Sequence, residues 1–115
     1  MQRGSSLKRN GQFQYAYHRG QRSSCRELTV LFVPGARSGK ALVGFSVSRK
    51  TGNAVTRNLM KRRLREIIRP NLPRMRPGLY VIIIKEPAVG ADFGTLKARA
   101  AWLLNKQRLL AGQAK

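Results

Sequence analysis

Apolar and polar positions along this chain change rhythm several times, and each change marks an element. In LKRNGQFQYAYHRG (7–20), Phe13, Ala16 and Tyr17 recur at helical spacing. Asn10 can cap the start and Gly20 suits the end, so the spacing predicts a short helix. ELTVLFVP (27–34) is β-branched and aromatic until Pro34 stops it, which predicts a strand. GARSGK follows as a turn or loop. ALVGFSVS (41–48) is a second strand with two unlike faces. Ala41, Val43, Phe45 and Val47 point one way, and Leu42, Gly44, Ser46 and Ser48 the other. The second face is small and partly polar, which leaves room for something to lie across it.

GNAVTRNLMKRRLRE (52–66) begins a longer helix, capped by Asn53 and ended by Pro70 after Arg69. At about 100° per residue, Met60, Leu64, Ile67 and Ile68 share a core-facing stripe. Asn58, Lys61, Arg62, Arg65 and Arg69 occupy a separate arc of roughly 100°, with Arg57 at the border of the two faces. PNLPRMRPG is a proline-stiffened link. GLYVIIIKEP is apolar on both faces and therefore predicts a central, buried strand. Asp92 can cap a last helix whose stripe is Leu96, Ala100, Leu103, Leu104 and Gln107. The result is an α+β fold, a single-domain α/β sandwich over 1–115 in the order α-β-β-α-β-α, with an extra short strand near residues 22 to 26. Residues 1–6 and 111–115 are expected to be loose, and the chain contains no internal repeat.

Length and composition support a folded domain. At 115 residues and 42% hydrophobic, the chain can bury a real core. Charge changes the picture more. Twenty-four Lys and Arg face four acids, a net charge of +20. Self-repulsion on that scale points to a polyanionic partner, with nucleic acid ahead of an anionic membrane surface. The apolar run Leu79 to Ile84 is far too short to span a bilayer, and no signal-like stretch follows the basic N-terminus. A cytoplasmic protein is expected.

The long helix concentrates this charge. Arg57, Lys61, Arg62, Arg63, Arg65 and Arg69 stand against one acid, Glu66. A solvated helix face ordinarily alternates signs at i and i+4, whereas Arg57, Lys61 and Arg65 stack like charges at that spacing, which costs stability. The pattern reads as a phosphate-binding face. Catalytic chemistry is correspondingly thin. Glu27, Glu66, Glu86 and Asp92 fall in separate elements, and a metal-dependent nuclease needs clustered carboxylates. His18, the only histidine, ends a basic helix and reads as a surface residue or phosphate contact. GARSGKA has three residues between its glycines instead of four, and Ala41 stands where a phosphate loop needs a hydroxyl. Cys25, alone, reads as a small half-buried residue. Phe13 and Tyr17 admit two readings: core packing, or base stacking inside a groove made positive by Lys8, Arg9 and Arg19.

VGFSVSRKTGNAVTRNLMKRRLRE resembles the signature region of the bacterial ribonuclease P protein subunit, nearly V-G-x-S-V-S-K-K-x-G-x-A-V-x-R-N-R-x-K-R-x-x-R-E. LKRNGQFQYAYHRG is similar to that family's L-K-x-x-x-x-F-x-x-V-F-x-x-G, and RPGLYVIIIKEPA extends the likeness over almost the whole chain. The resemblance implies a mostly antiparallel sheet with a left-handed β-α-β crossover, against the general preference. It implies an accessory subunit of an endoribonuclease, binding a catalytic RNA that removes the 5′ leader of precursor tRNA. Mg2+ held mainly by the RNA would do the chemistry. The partners implied are that RNA and precursor tRNA, with no membrane, one protein monomer per RNA. Arg57 and Asn58 match the first letters of the RNR motif, and Lys61, Arg62 and Arg65 its later basic positions, with Arg69 on the same face. Leu59 departs from the third letter, usually Arg. Phe13 and Tyr17 match the aromatic positions of a leader cleft to which Ser46, Ser48, Arg49 and Lys50 would also belong. Leu31 stands where some members carry a tyrosine, which points to weaker leader stacking. A structural, ribosomal-type RNA-binding protein is the alternative, and a double-stranded DNA-binding module the third reading.

Overall fold

The computed structural model describes residues 18–34 and 39–107. The helix expected near the N-terminus falls outside these residues except at its end, where His18 and Arg19 are helical and exposed. From there the chain forms β1 (Gln21–Ser24), β2 (Leu28–Pro34), β3 (Ala41–Val47), α1 (Ala54–Ile68), β4 (Gly78–Ile84) and α2 (Phe93–Lys106). The strands make one sheet in the order β1-β2-β4-β3. β1 and β2, and β2 and β4, run antiparallel, whereas β3 and β4 run parallel with α1 between them in the chain. The doubly apolar GLYVIII is thus an interior strand, as its pattern predicts.

Both helices cover the same face of the sheet. Val30, Phe32, Val43, Tyr80 and Ile82 meet Met60, Leu64, Ile67 and Ile68 of α1 and Leu96, Ala100, Leu103 and Leu104 of α2 in one buried cluster. The two helical stripes are those the spacing predicts. Asn53 caps α1 through its side-chain oxygen, which accepts the Thr56 N–H at 2.9 Å. Asp92 starts α2, where its carboxylate accepts the Thr95 hydroxyl; that hydrogen bond, ahead of smaller contributions, holds its pKa below the ordinary carboxylate value. Phe32 and Tyr80 stack with centroids 4.8 Å apart, and the Tyr80 hydroxyl donates to the Arg76 carbonyl at 2.6 Å. Burial pushes the Tyr80 hydroxyl pKa well up, against the opposing pull of Arg76, so this hydroxyl stays a donor.

Several boundaries differ from expectation for local reasons. The extra strand is Gln21–Ser24, earlier than 22 to 26, because Cys25 turns back and its N–H meets the Leu28 carbonyl at 2.9 Å. Cys25 is half-buried. Glu27 leaves the strand for the turn, where it is buried and its carboxylate meets Arg99 at 3.2 Å. α1 closes at Ile68 with Arg69 as its cap, and Pro70 is the second residue of a 3₁₀ stretch over Arg69–Arg74. Proline fits there because the N–H groups of a helix's first turn have no intrahelical partner, so the missing one is not needed. Gln107 caps α2 rather than extending its apolar stripe. Its amide nitrogen lies 2.7 Å from the Ser23 hydroxyl and 3.4 Å from the Gln21 and Val30 carbonyls, tying α2 to the sheet.

Candidate nucleic-acid interface

The side of α1 away from the core carries the charge. Asn58, Arg62 and Arg69 are exposed, and Arg57, Lys61 and Arg65 are half-buried. Half-burial suits long cationic stems that lie along the protein with their heads in water. None of these cations lies within ion-pair distance of a described acid. Glu66 stays unpaired despite its basic neighbours, and the ion pair found among the described residues, Arg99 with Glu27, sits on α2. The Arg57 Nε is buried without a hydrogen-bond partner among the described residues, as its border position suggests. The geometry therefore concentrates positive charge and neutralises none of it internally. That arrangement costs the free protein stability and is offset when phosphates fill the face.

Val55, Asn58, Leu59, Arg62 and Arg65 line an open groove of about 500 Å³ along this helix. Val55 is 77% exposed, so Val55 and Leu59, one turn apart, form an apolar strip between cations. Leu59 thus supplies contact area where an arginine would supply charge. Beyond the end of α1, Lys40 and Arg69 border a second hollow of about 310 Å³, with Ala41, Leu72, Pro73 and Met75 along it.

The expected leader cleft is only partly placed. Phe13 and Tyr17 lie outside the described residues. Ser46 is half-buried on the sheet face opposite the two helices, whereas Ser48, Arg49 and Lys50 are exposed just past the end of β3. The Ser48 hydroxyl lies 3.3 Å from that of Thr51, which fixes the turn over Arg49–Thr51. Strand register shows what else shares Ser46's face. Arg22, Leu31, Val81 and Gly44 form one cross-strand row, and Ser24, Thr29, Ile83 and Ser46 the next. Leu31 and Val81 are buried, and Val33, Leu42, Leu79 and Ile83 are half-buried around them. Lys85 donates to the Ser24 hydroxyl at 3.0 Å, adding a cation beside the polar row. Arg22 and Lys85 escaped the sequence reading. The available signal was alternation from Leu31, but it identifies Arg22 only once β1 is known to pair with β2.

The described residues bring together no group of three or more His, Cys, Asp or Glu side chains suited to a metal ion. No helix among them is long and apolar enough to cross a membrane.

Comparison with known proteins agrees along most of the chain. A sequence model of the Ribonuclease P family matches residues 1–108. The ribonuclease P protein component of Bacillus velezensis is 31% identical over 109 residues, covering 95% of this chain and 94% of the relative. That of Symbiobacterium thermophilum is 34% identical over 111 residues, covering 96% of each. Among solved structures, the RNase P protein of Staphylococcus aureus superposes with a TM-score of 0.86 at 25% identity, over 92% of this chain and 97% of that one. The RNase P protein of Thermotoga maritima gives 0.79 at 26% identity, over 88% and 96%. With the signature helix in place, the sheet order matched and nearly every residue covered, the chain belongs to the ribonuclease P protein family.

Proposed function

We propose that the chain works as the protein subunit of a ribonuclease P particle, holding a catalytic RNA with α1 and the 5′ leader of precursor tRNA across the second face of the sheet. The observation that carries this reading is the arc of Asn58, Lys61, Arg62, Arg65 and Arg69, whose cations have no described acidic partner. An arc of that kind lies along a phosphate backbone, positioning RNA without reading its bases. Arg57 would join it at the near edge. Ser46 on the sheet and Ser48, Arg49 and Lys50 just past β3 would meet the leader with Phe13 and Tyr17, and Arg22 and Lys85 would widen the positive rim.

Cleavage itself is assigned to the RNA. The described acids are scattered and Glu27 is engaged by Arg99, so this chain does not fit as the holder of catalytic Mg2+. RNA phosphates are the oxygen donors such an ion prefers. The protein's contribution is binding energy and orientation, plus positive charge that lowers the magnesium needed to bring two RNAs together. One protein monomer per RNA is the stoichiometry this reading carries. The test is discrimination between tRNAs by the reconstituted particle. Phe13→Ala with Tyr17→Ala should weaken precursor tRNA more than mature tRNA, by roughly 1–3 kcal/mol per lost stack. Equal weakening of both would remove the leader cleft from the account.

A further inference from the structure

A second aromatic and cationic surface lies on the outer flank of α2, separate from α1. Trp102, the only tryptophan of the chain, is 51% exposed, although a large indole usually buries most of its surface. Helical spacing places Arg99 one turn before it and Lys106 one turn after, and all three avoid the Leu96, Ala100, Leu103 stripe that faces the core. The Lys106 ammonium sits 4.9 Å from the indole centroid. Arg99 is held by the buried Glu27 through its Nε, while its side chain stays 51% exposed. Glu27 belongs to the β1–β2 turn, and β1 is the sheet edge remote from β3, against which α1 packs. The flank bearing Trp102 therefore looks away from the α1 arc.

We infer that the Arg99, Trp102 and Lys106 flank of α2 is a second RNA contact, which stacks an unpaired nucleobase on the indole and holds its phosphates with the two cations. The chemistry favours a nucleic acid over other occupants. An aromatic face bordered by cations is the arrangement that grips single strands, since every base has a π-face and every nucleotide a phosphate. A second copy of this chain would bring another +20 to the same place. The nearest free acid of the helix, Asp92, lies at its first residues, and Glu27 is already engaged by Arg99. Lys106 resting on the ring marks how readily this face accepts a cation–π or stacking partner, and the flexible lysine can swing from ring to phosphate when a base arrives.

This contact is independent of the α1 reading, and the test keeps the two apart. The protein carries Lys61→Glu and Arg65→Glu, which disables the α1 arc, and is titrated with a short single-stranded oligouridylate at low salt. Tryptophan emission reports directly because Trp102 is alone. Saturating quenching is expected for the protein that keeps Trp102. The Trp102 variants carry no tryptophan, so their affinity is read from the anisotropy of a fluorescein-labelled oligouridylate. It should fall roughly tenfold on Trp102→Ala and little on Trp102→Phe. Trp102→Leu should behave like alanine, because it keeps apolar area and loses the stack. Absence of quenching, or leucine restoring full affinity, would overturn the inference and mark the flank as a protein-docking patch. Repeating the comparison with the catalytic RNA and with precursor tRNA then shows which of them supplies the unpaired segment. An effect of Trp102→Ala on neither also contradicts the proposal.

Discussion

Removing two charges from α1 should push stability and RNA affinity in opposite directions. Consider Lys61→Gln with Arg65→Gln, which keeps the stems that half-bury these side chains and deletes only the charges. On the helix, Lys61 lies one turn from Arg57 and Arg65, and Arg65 one turn from Arg62 and Arg69. Four like-charge contacts disappear, each costing about 0.2–0.5 kcal/mol at this spacing, so the free protein should gain about 1–2 kcal/mol. For a chain of this size that is a rise of about 4 °C or more in Tm. The core stripe of Met60, Leu64, Ile67 and Ile68 is untouched. RNA binding should weaken, and the slope of log K against log salt should fall in magnitude by about 1.4–1.8 for two lost phosphate contacts. Thermal melts and salt-dependent titrations of the same two proteins read both signs. A lower Tm would mean that these cations have structural partners in the fold. An unchanged salt slope would mean that they do not meet phosphates.

Gly78→Ala should destabilise by roughly 2–5 kcal/mol, because a Cβ there would lie 2.4 Å from the Val33 carbonyl and 2.5 Å from the Phe32 ring at a φ of 156°. Gly90→Ala, where a Cβ meets open space, is the control, and equal urea midpoints for the two variants would contradict the packing. Millimolar sulfate or pyrophosphate should raise Tm more than sodium chloride of equal ionic strength, since anions that occupy the α1 arc bind only the folded form. Coincident melts would reduce the effect to screening. Changing the exposed His18, Glu66, Glu86 or Asp92 singly to Ala should leave maximal cleavage by the reconstituted particle within a few-fold at high magnesium. A loss of about 10³ would place a catalytic group on the protein.

What could be read before any coordinates follows a physical divide between local and non-local signals. The Asn53 cap, the core stripe of α1 and its cationic arc depend on residues within a few turns, so period and capping chemistry revealed them. The interior place of β4 was legible because both of its faces are apolar. The order β1-β2-β4-β3 was not, since register between strands distant in sequence leaves no mark in any one segment. Ser46 and Gly44 betrayed an accommodating face, but its rows need Leu31, Val81 and Arg22 from other strands. Gln107 looked apolar by position because periodicity cannot see the Ser23 hydroxyl and the Gln21 and Val30 carbonyls that receive its amide. Trp102 lies off the apolar stripe of α2, where periodicity assigns it no role, although an aromatic on the solvent side of a helix is itself a signal.

The most direct test of the central claim is the rate at which a bacterial ribonuclease P RNA cleaves precursor tRNA at low magnesium, with and without this chain. The RNA alone should be nearly silent under these conditions. One equivalent of protein should restore cleavage at the mature 5′ end, and the Lys61→Glu, Arg65→Glu variant should fail at the same concentration while remaining folded. A chain that binds the RNA tightly yet leaves the cleavage rate unchanged would contradict the account, and would fit a structural RNA-binding protein with no part in tRNA maturation.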